Sequence, residues 1–169
     1  MKNQGFIKTR SFGVWLGKAT DGGSGEITFG GFNPTHIVGS LTTIPLVRSF
    51  DSTGIWVVQL SKLSINGKDI ALAPANSLAI VDTGTSVILA PTDVAGQIGT
   101  ALGATFSSQE QAYTIPCNVT PPDLAFVFGN GSFTVPGADL VVKQQGACVV
   151  AIIPGDLGGG LVSSSGDWM

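Results

Sequence analysis

Histidine is almost absent from this chain: His36 is the single one in 169 residues. Ser-His-Asp and Cys-His mechanisms need a histidine as base, so either would have to use His36. That residue sits in the turn-rich stretch FNPTHIVGS, no G-x-S-x-G elbow occurs anywhere, and it reads as a solvated loop residue. Cysteine is scarce as well, with Cys117 and Cys148 alone. Two distant thiols and one remote histidine do not make a zinc site, so no metal and no other cofactor is expected. Two states stay open for the thiols. They form a disulfide, worth about 4 kcal/mol on chain-entropy grounds, or they remain two buried free cysteines.

Charge is also in short supply. Charged residues make up 11%, Lys and Arg number 8, and the net charge is −3. A nucleic-acid face requires a basic footprint, and none is visible. There is no polybasic membrane patch, and no apolar run approaches the ~18–20 residues of a transmembrane helix. Neither nucleic acid nor membrane is therefore an expected partner. The start, MKNQGFIKTRSFGVWLG, is broken by polar residues and a glycine, so no signal peptide is read in this chain. The glycine-rich Gly155–Gly160 stretch lacks a Walker lysine and carries no nucleotide expectation. No motif selects a pair of acidic residues for glycoside hydrolysis.

What is abundant is apolar residues, 43%, and glycine, 24 residues. The length allows one domain with a real core. Glycine with Thr, Val, Ser and Phe points to short strands and many turns. Ile27 and Phe29 alternate before a Gly-Gly turn. Trp56, Val58 and Leu60, then Leu63 and Ile65, follow a period of two and meet Asn66-Gly67, a strong hairpin signal. The pattern repeats at Leu124, Phe126 and Phe128, then Asn130-Gly131, then Phe133 and Val135, and Cys148 opens another apolar run. One segment departs from it. Pro91-Thr92-Asp93 predicts a helix start with Thr92 or Asp93 as N-cap, Val94, Ile98 and Leu102 recur at helical spacing, and Gly103 ends a helix of about three turns. Two N-x-[ST] sequons, at Asn118 and Asn130, are glycosylation candidates and favour an oxidising compartment.

The stretch AIVDTGTSVILAP, Ala79 to Pro91, sets one acid among the most apolar residues of the chain. An ionised group near a core is costly unless hydrogen-bonded or paired. Either Asp82 caps a buried turn, or its ionisation is the point. Small residues after it allow a tight backbone turn. The hydroxyls of Thr83, Thr85 and Ser86 are in reach of the carboxylate and the backbone, and the β-branched flanks dry the site. A carboxylate held this way suits acid–base work.

At these residues the sequence resembles the pepsin-like aspartic proteases, specifically their C-terminal lobe. AIVDTGTS with its following APT is similar to the second active-site motif. FGVWLG, GEITFGGFN, GSLTTIPLV, IWVVQLSKLSINGKDI, CNVTPPDLAFVFGNGSFTVP and GAC resemble further segments of that lobe, in the same order. The resemblance implies a mostly β, pepsin-like acid-protease lobe of antiparallel sheets with one or two short helices, incomplete at the C-terminus. Residues 1–169 would form a single C-terminal-lobe-like domain, with the N-terminal lobe absent. It also implies a Cys117–Cys148 bond. Asp82 would be one of two catalytic aspartates that share a proton and hold the attacking water. Thr83 would support the site by gripping the other lobe. Thr85 would hydrogen-bond the carboxylate, and with Gly84 and Ser86 would serve the substrate backbone. Ile80 would line a side-chain pocket.

Three parts of the family pattern are missing from this sequence: a first D-T-G or D-S-G motif, the flap tyrosine, and apolar residues before the closing Gly166-Asp167, where Ser163 to Ser165 stand instead. The expectation is half of an aspartic endopeptidase acting on peptides or proteins at acidic pH, secreted or vacuolar in its parent form. It needs the missing lobe, or a second copy of itself, to complete the carboxylate pair. The alternative is a catalytically inactive lobe that binds a peptide, a protease or a carbohydrate.

Overall fold

The structure, a computed structural model, describes residues 1–18, 22–74, 77–144, 146–155 and 161–165, the last segment as backbone. The chain divides into two compact units, residues 1–43 and the part from Ile44 onward.

The first unit is built on an antiparallel hairpin of β1 (Phe12–Trp15) and β2 (Glu26–Phe29), in register from Phe12 opposite Phe29 to Trp15 opposite Glu26. The Ile27 and Phe29 alternation is a strand, as its period predicts, but both side chains are exposed and Glu26 and Thr28 face inward. The reason is a polar cluster. Glu26 accepts from Thr28 Oγ1 at 2.6 Å and Asn33 Nδ2 at 2.9 Å, and lies 3.3 Å from His36 Nε2. Hydrogen bonds from Thr28 and Asn33 hold the Glu26 carboxyl below its usual range. His36 is thus not the solvated loop residue that its neighbours suggest. It ends a short 3₁₀ turn, Pro34–His36, capped by the Asn33 side chain, and its ring stacks on Trp15 with centroids 4.0 Å apart.

The second unit carries, in chain order, β3 (Val57–Gln59), β4 (Lys62–Ile65), β5 (Lys68–Ile70), β6 (Leu78–Asp82), β7 (Ile88–Ala90), the helix α1 (Thr92–Ala101), β8 (Thr105–Ser107) and β9 (Ala112–Ile115). Then come β10 (Leu124–Phe128), β11 (Gly131–Val135), β12 (Val141–Gln144), β13 (Ala147–Val150), β14 (Ile152–Pro154) and β15 (Leu161–Ser165). Two four-stranded antiparallel sheets have the orders β11-β10-β4-β5 and β12-β13-β9-β8. A third sheet, β14-β7-β15-β6-β3, is mixed. Leu60, Leu63, Ile88, Ile98, Leu124 and Ile152 are buried in the core of this unit, and the apolar flanks of the Asp82 stretch, Ala79 and Ile88, belong to that core.

Turn chemistry accounts for the strand pairing. Asn66 and Gly67 both have positive φ, 55° and 74°, as a type I′ turn requires. The second hairpin turns one residue earlier than Asn130-Gly131 suggests. Phe128 pairs with Gly131, so the loop is Gly129-Asn130, with Gly129 at φ 56°. Gly131 is instead the buried first residue of β11. A positive φ at the first central position suits glycine best, and Gly129 supplies it.

Helix α1 spans the predicted three turns, with Val94 and Ile98 buried and Gly103 at φ 74° just past its end. Its N-cap is Pro91, not Thr92 or Asp93, and no side chain caps it. Thr92 is already helical, because the fixed φ of proline and the end of β7 start the helix one residue sooner.

Candidate active site

Asp82 is the last residue of β6, and Ile88 opens β7 six residues after it. Between these two strands runs β15. It pairs in parallel with β6 along its whole length, Leu161 opposite Leu78 to Ser165 opposite Asp82, and bridges β7 where Ser163 meets Leu89. The loop 83–87 is thus held at both ends by strands that share a central neighbour. The serine segment, which lacks the family's apolar residues, forms that strand nonetheless. Gly166 and Asp167 lie outside the described residues.

The carboxylate is half-buried and both its oxygens are engaged. The Gly84 N–H donates to Oδ1 at 2.8 Å, and the Thr85 hydroxyl donates to Oδ2 at 2.5 Å. The Thr85 bond first, then the Gly84 bond, holds the Asp82 carboxyl below its ordinary value, against a smaller opposing effect of burial. None of these causes is another charged group. The approach to Gly84 is close: a Cβ there would sit 3.3 Å from Asp82 Oδ1.

Of the residues that the motif nominates, Gly84 and Thr85 meet the carboxylate. Thr83 and Ser86 are exposed, and their hydroxyls bond no described residue. Ile80 is half-buried two positions before Asp82, on the same face of β6. Beside the hydroxyl of Thr85, the carboxylate takes a backbone donor, the Gly84 N–H, in the Asx-turn arrangement that Asp-x-Gly favours. The backbone of β15 has no comparable signature.

Cys117 and Cys148 form a disulfide, joining residues 31 apart in sequence. Asn118 and Asn130 are exposed. Among the described residues no cluster of three or more His, Cys, Asp or Glu could hold a metal ion, and no helix is long and apolar enough to cross a membrane.

Residues 1–163 match the family model "Eukaryotic aspartyl protease". The chain is 36% identical over 155 residues to rhizopuspepsin-1 of Rhizopus niveus, covering 90% of this chain and 38% of that protein. It is 36% identical over 150 residues to syncephapepsin of Syncephalastrum racemosum, covering 88% and 36%. A probable vacuolar protease A of Arthroderma benhamiae is 38% identical over 152 residues, again covering 88% and 36%. The chain therefore spans less than two fifths of the length of these relatives. With the Asp82 loop, the disulfide and the mostly β architecture all in place, the match over residues 1–163 makes this chain a member of the eukaryotic aspartyl protease family.

Proposed function

We propose that this chain supplies one carboxylate of a two-carboxylate peptidase centre that activates water to hydrolyse peptide bonds at acidic pH. The observation that carries this is the seating of Asp82, whose oxygens each accept one donor, Gly84 N–H and Thr85 Oγ1, on a loop between packed strands. Those donors favour the ionised form, and a carboxylate kept ionised is the one able to take a proton from water. Its counterpart must then be the protonated member, which donates to the substrate carbonyl oxygen. Two such groups share one proton and titrate as a pair.

The second carboxylate would come from another half of a longer parent protein, in keeping with the length of the relatives. A second copy across a two-fold axis is the other source. The substrate is a peptide or protein segment. Gly84, Thr85 and Ser86 would meet its backbone, Ile80 would line a side-chain pocket, and Thr83 would grip the partner half. A secreted or vacuolar setting fits the disulfide, since such bonds persist in oxidising compartments, and one relative is named a vacuolar protease.

A second role, an inactive lobe that binds peptide, protease or carbohydrate, is favoured by Ser163 to Ser165, which stand where the family pattern has apolar residues. Acid proteolysis of an unfolded protein, from about pH 3 to 6, separates the two. The chain is assayed alone and mixed with the complementary half of a relative, with and without pepstatin, and its mass is followed by light scattering. Pepstatin-sensitive cleavage that needs Asp82 supports the peptidase centre. If the mixture forms a folded complex that does not cleave, the binding role stands instead.

A further inference from the structure

The two sequons differ in their surroundings, and the difference selects one. Asn118 follows Cys117 of the disulfide, in a turn closed by the Val119 N–H donating to the Pro116 carbonyl at 2.9 Å. Its hydroxyl residue, Thr120, is followed by Pro121 and Pro122. A residue before proline is confined to extended conformations, so Asn118-Val119-Thr120 cannot readily form the compact turn that brings a threonine hydroxyl to the asparagine amide. Asn130 has neither restriction. It is exposed in the Gly129-Asn130 loop, bonds no described residue through its side chain, and Phe133 follows Ser132.

Asn130 also stands at the head of an unprotected edge. Among the described residues β11 pairs on one side only, with β10. At five residues it is the longest edge strand among the described residues, and GSFTV contains no charge and no proline. The opposite edge of that sheet, β5, is three residues long and carries Lys68 and Asp69, the latter 2.7 Å from Lys62 Nζ. The edge strand β12 carries Lys143. Charges and short lengths are how proteins keep sheet edges from pairing with other chains, and β11 has neither.

We infer that Asn130 is an N-glycan acceptor, and that its glycan protects the β11 edge from pairing with other chains. The amide nitrogen of Asn130 attacks the anomeric carbon of a lipid-diphosphate-linked oligosaccharide. An N–C bond forms, the C–O bond to the diphosphate breaks, the lipid diphosphate leaves with the electron pair, and the amide proton passes to a base of the transferase. The inference rests on the proposed secretory route. Its test supplies a leader, so its outcome is independent of the parent protein's destination and of any peptidase activity.

The full chain is expressed behind a secretory leader in a eukaryotic host and recovered whether folded or not. Peptide masses are mapped before and after peptide N-glycosidase. The expected result is conversion of Asn130 to aspartate by the glycosidase, abolished by Ser132→Ala, with Asn118 unchanged. An unmodified Asn130, or a glycan confined to Asn118, overturns the assignment. Trimming the glycan from the folded protein should raise its aggregation rate severalfold by light scattering, and Thr134→Lys on the same strand should suppress that rise. Equal aggregation with and without the glycan overturns the protective role.

Discussion

Ser165 on β15 stands in parallel register with Asp82 on β6, and two residues earlier Ser163 meets both Ile80 of β6 and Leu89 of β7. The segment that ties the Asp82 loop together is thus central in its sheet. Proline lacks the N–H that a central strand must donate. Ser163→Pro should release the loop: amide exchange at Gly84, whose N–H is held by Asp82, should rise at least about tenfold, a change of roughly 1.4 kcal/mol in the local opening equilibrium. The β10–β11 hairpin amides should exchange as before. Hydrogen exchange read by NMR measures both.

Thr85 is the largest cause of the lowered Asp82 pKa. A carboxyl with a depressed folded value contributes stability above its unfolded value, about 3.9. That contribution is lost as pH falls through the lower folded value. Thr85→Val should move the Asp82 titration up toward the ordinary range and shrink this acid-side loss, whereas Thr85→Ser should preserve both. A carboxyl-carbon NMR titration reads the shift. An unmoved midpoint in Thr85→Val would assign the effect to Gly84.

Asp82→Asn keeps an oxygen to accept from Gly84 but removes the charge. In an assembled, pepstatin-sensitive enzyme it should lower kcat by about a hundredfold to ten-thousandfold, the usual worth of a general acid–base group. At neutral pH the urea midpoint should fall only by the modest contribution of the lowered Asp82 carboxyl. A large loss of stability would instead mark Asp82 as a structural cap.

Gly99 is a buried helical glycine facing the ring of Tyr113, and a Cβ on it would come within 2.4 Å of Tyr113 Cδ1. In an exposed helix Gly→Ala gains about 1 kcal/mol. Here the added methyl displaces the ring, so Gly99→Ala should be net destabilising, by about 1–3 kcal/mol in urea unfolding. Tyr113→Leu in the same molecule should recover part of it.

The disulfide closes a separation of 31 residues, for which chain entropy predicts about 4 kcal/mol. Replacing both Cys117 and Cys148 with alanine should lower the free energy of unfolding by about that much, read from urea titrations at fixed pH. A loss below about 1 kcal/mol would show that the 117–148 region stays compact when unfolded.

Strands were legible wherever one face alone is buried. Leu63 with Ile65, and Leu124 with Phe126 and Phe128, show their period in the sequence because their neighbours face away from the core. The Asp82 motif was legible because its residue types are unusual together. The polar cluster around His36 was not, since the stack on Trp15 and the contact with Glu26 depend on a hairpin register spanning residues 12–29. The donor from Gly84 and the seat of β15 are backbone features, and every residue but proline carries the same backbone donor and acceptor.

The place of β15 also dictates an order of events. Its residues pair with partners 83 positions earlier, since 161 − 78 = 83, and they lie between two strands that are neighbours in the chain. On a ribosome β6 and β7 emerge long before the strand that joins them. Until it arrives, the Asp82 loop has no shared support at its base, and contacts so distant in sequence form late and slowly. A nascent chain would therefore carry its carboxylate in an unassembled state while the 83 positions that separate the paired strands are made.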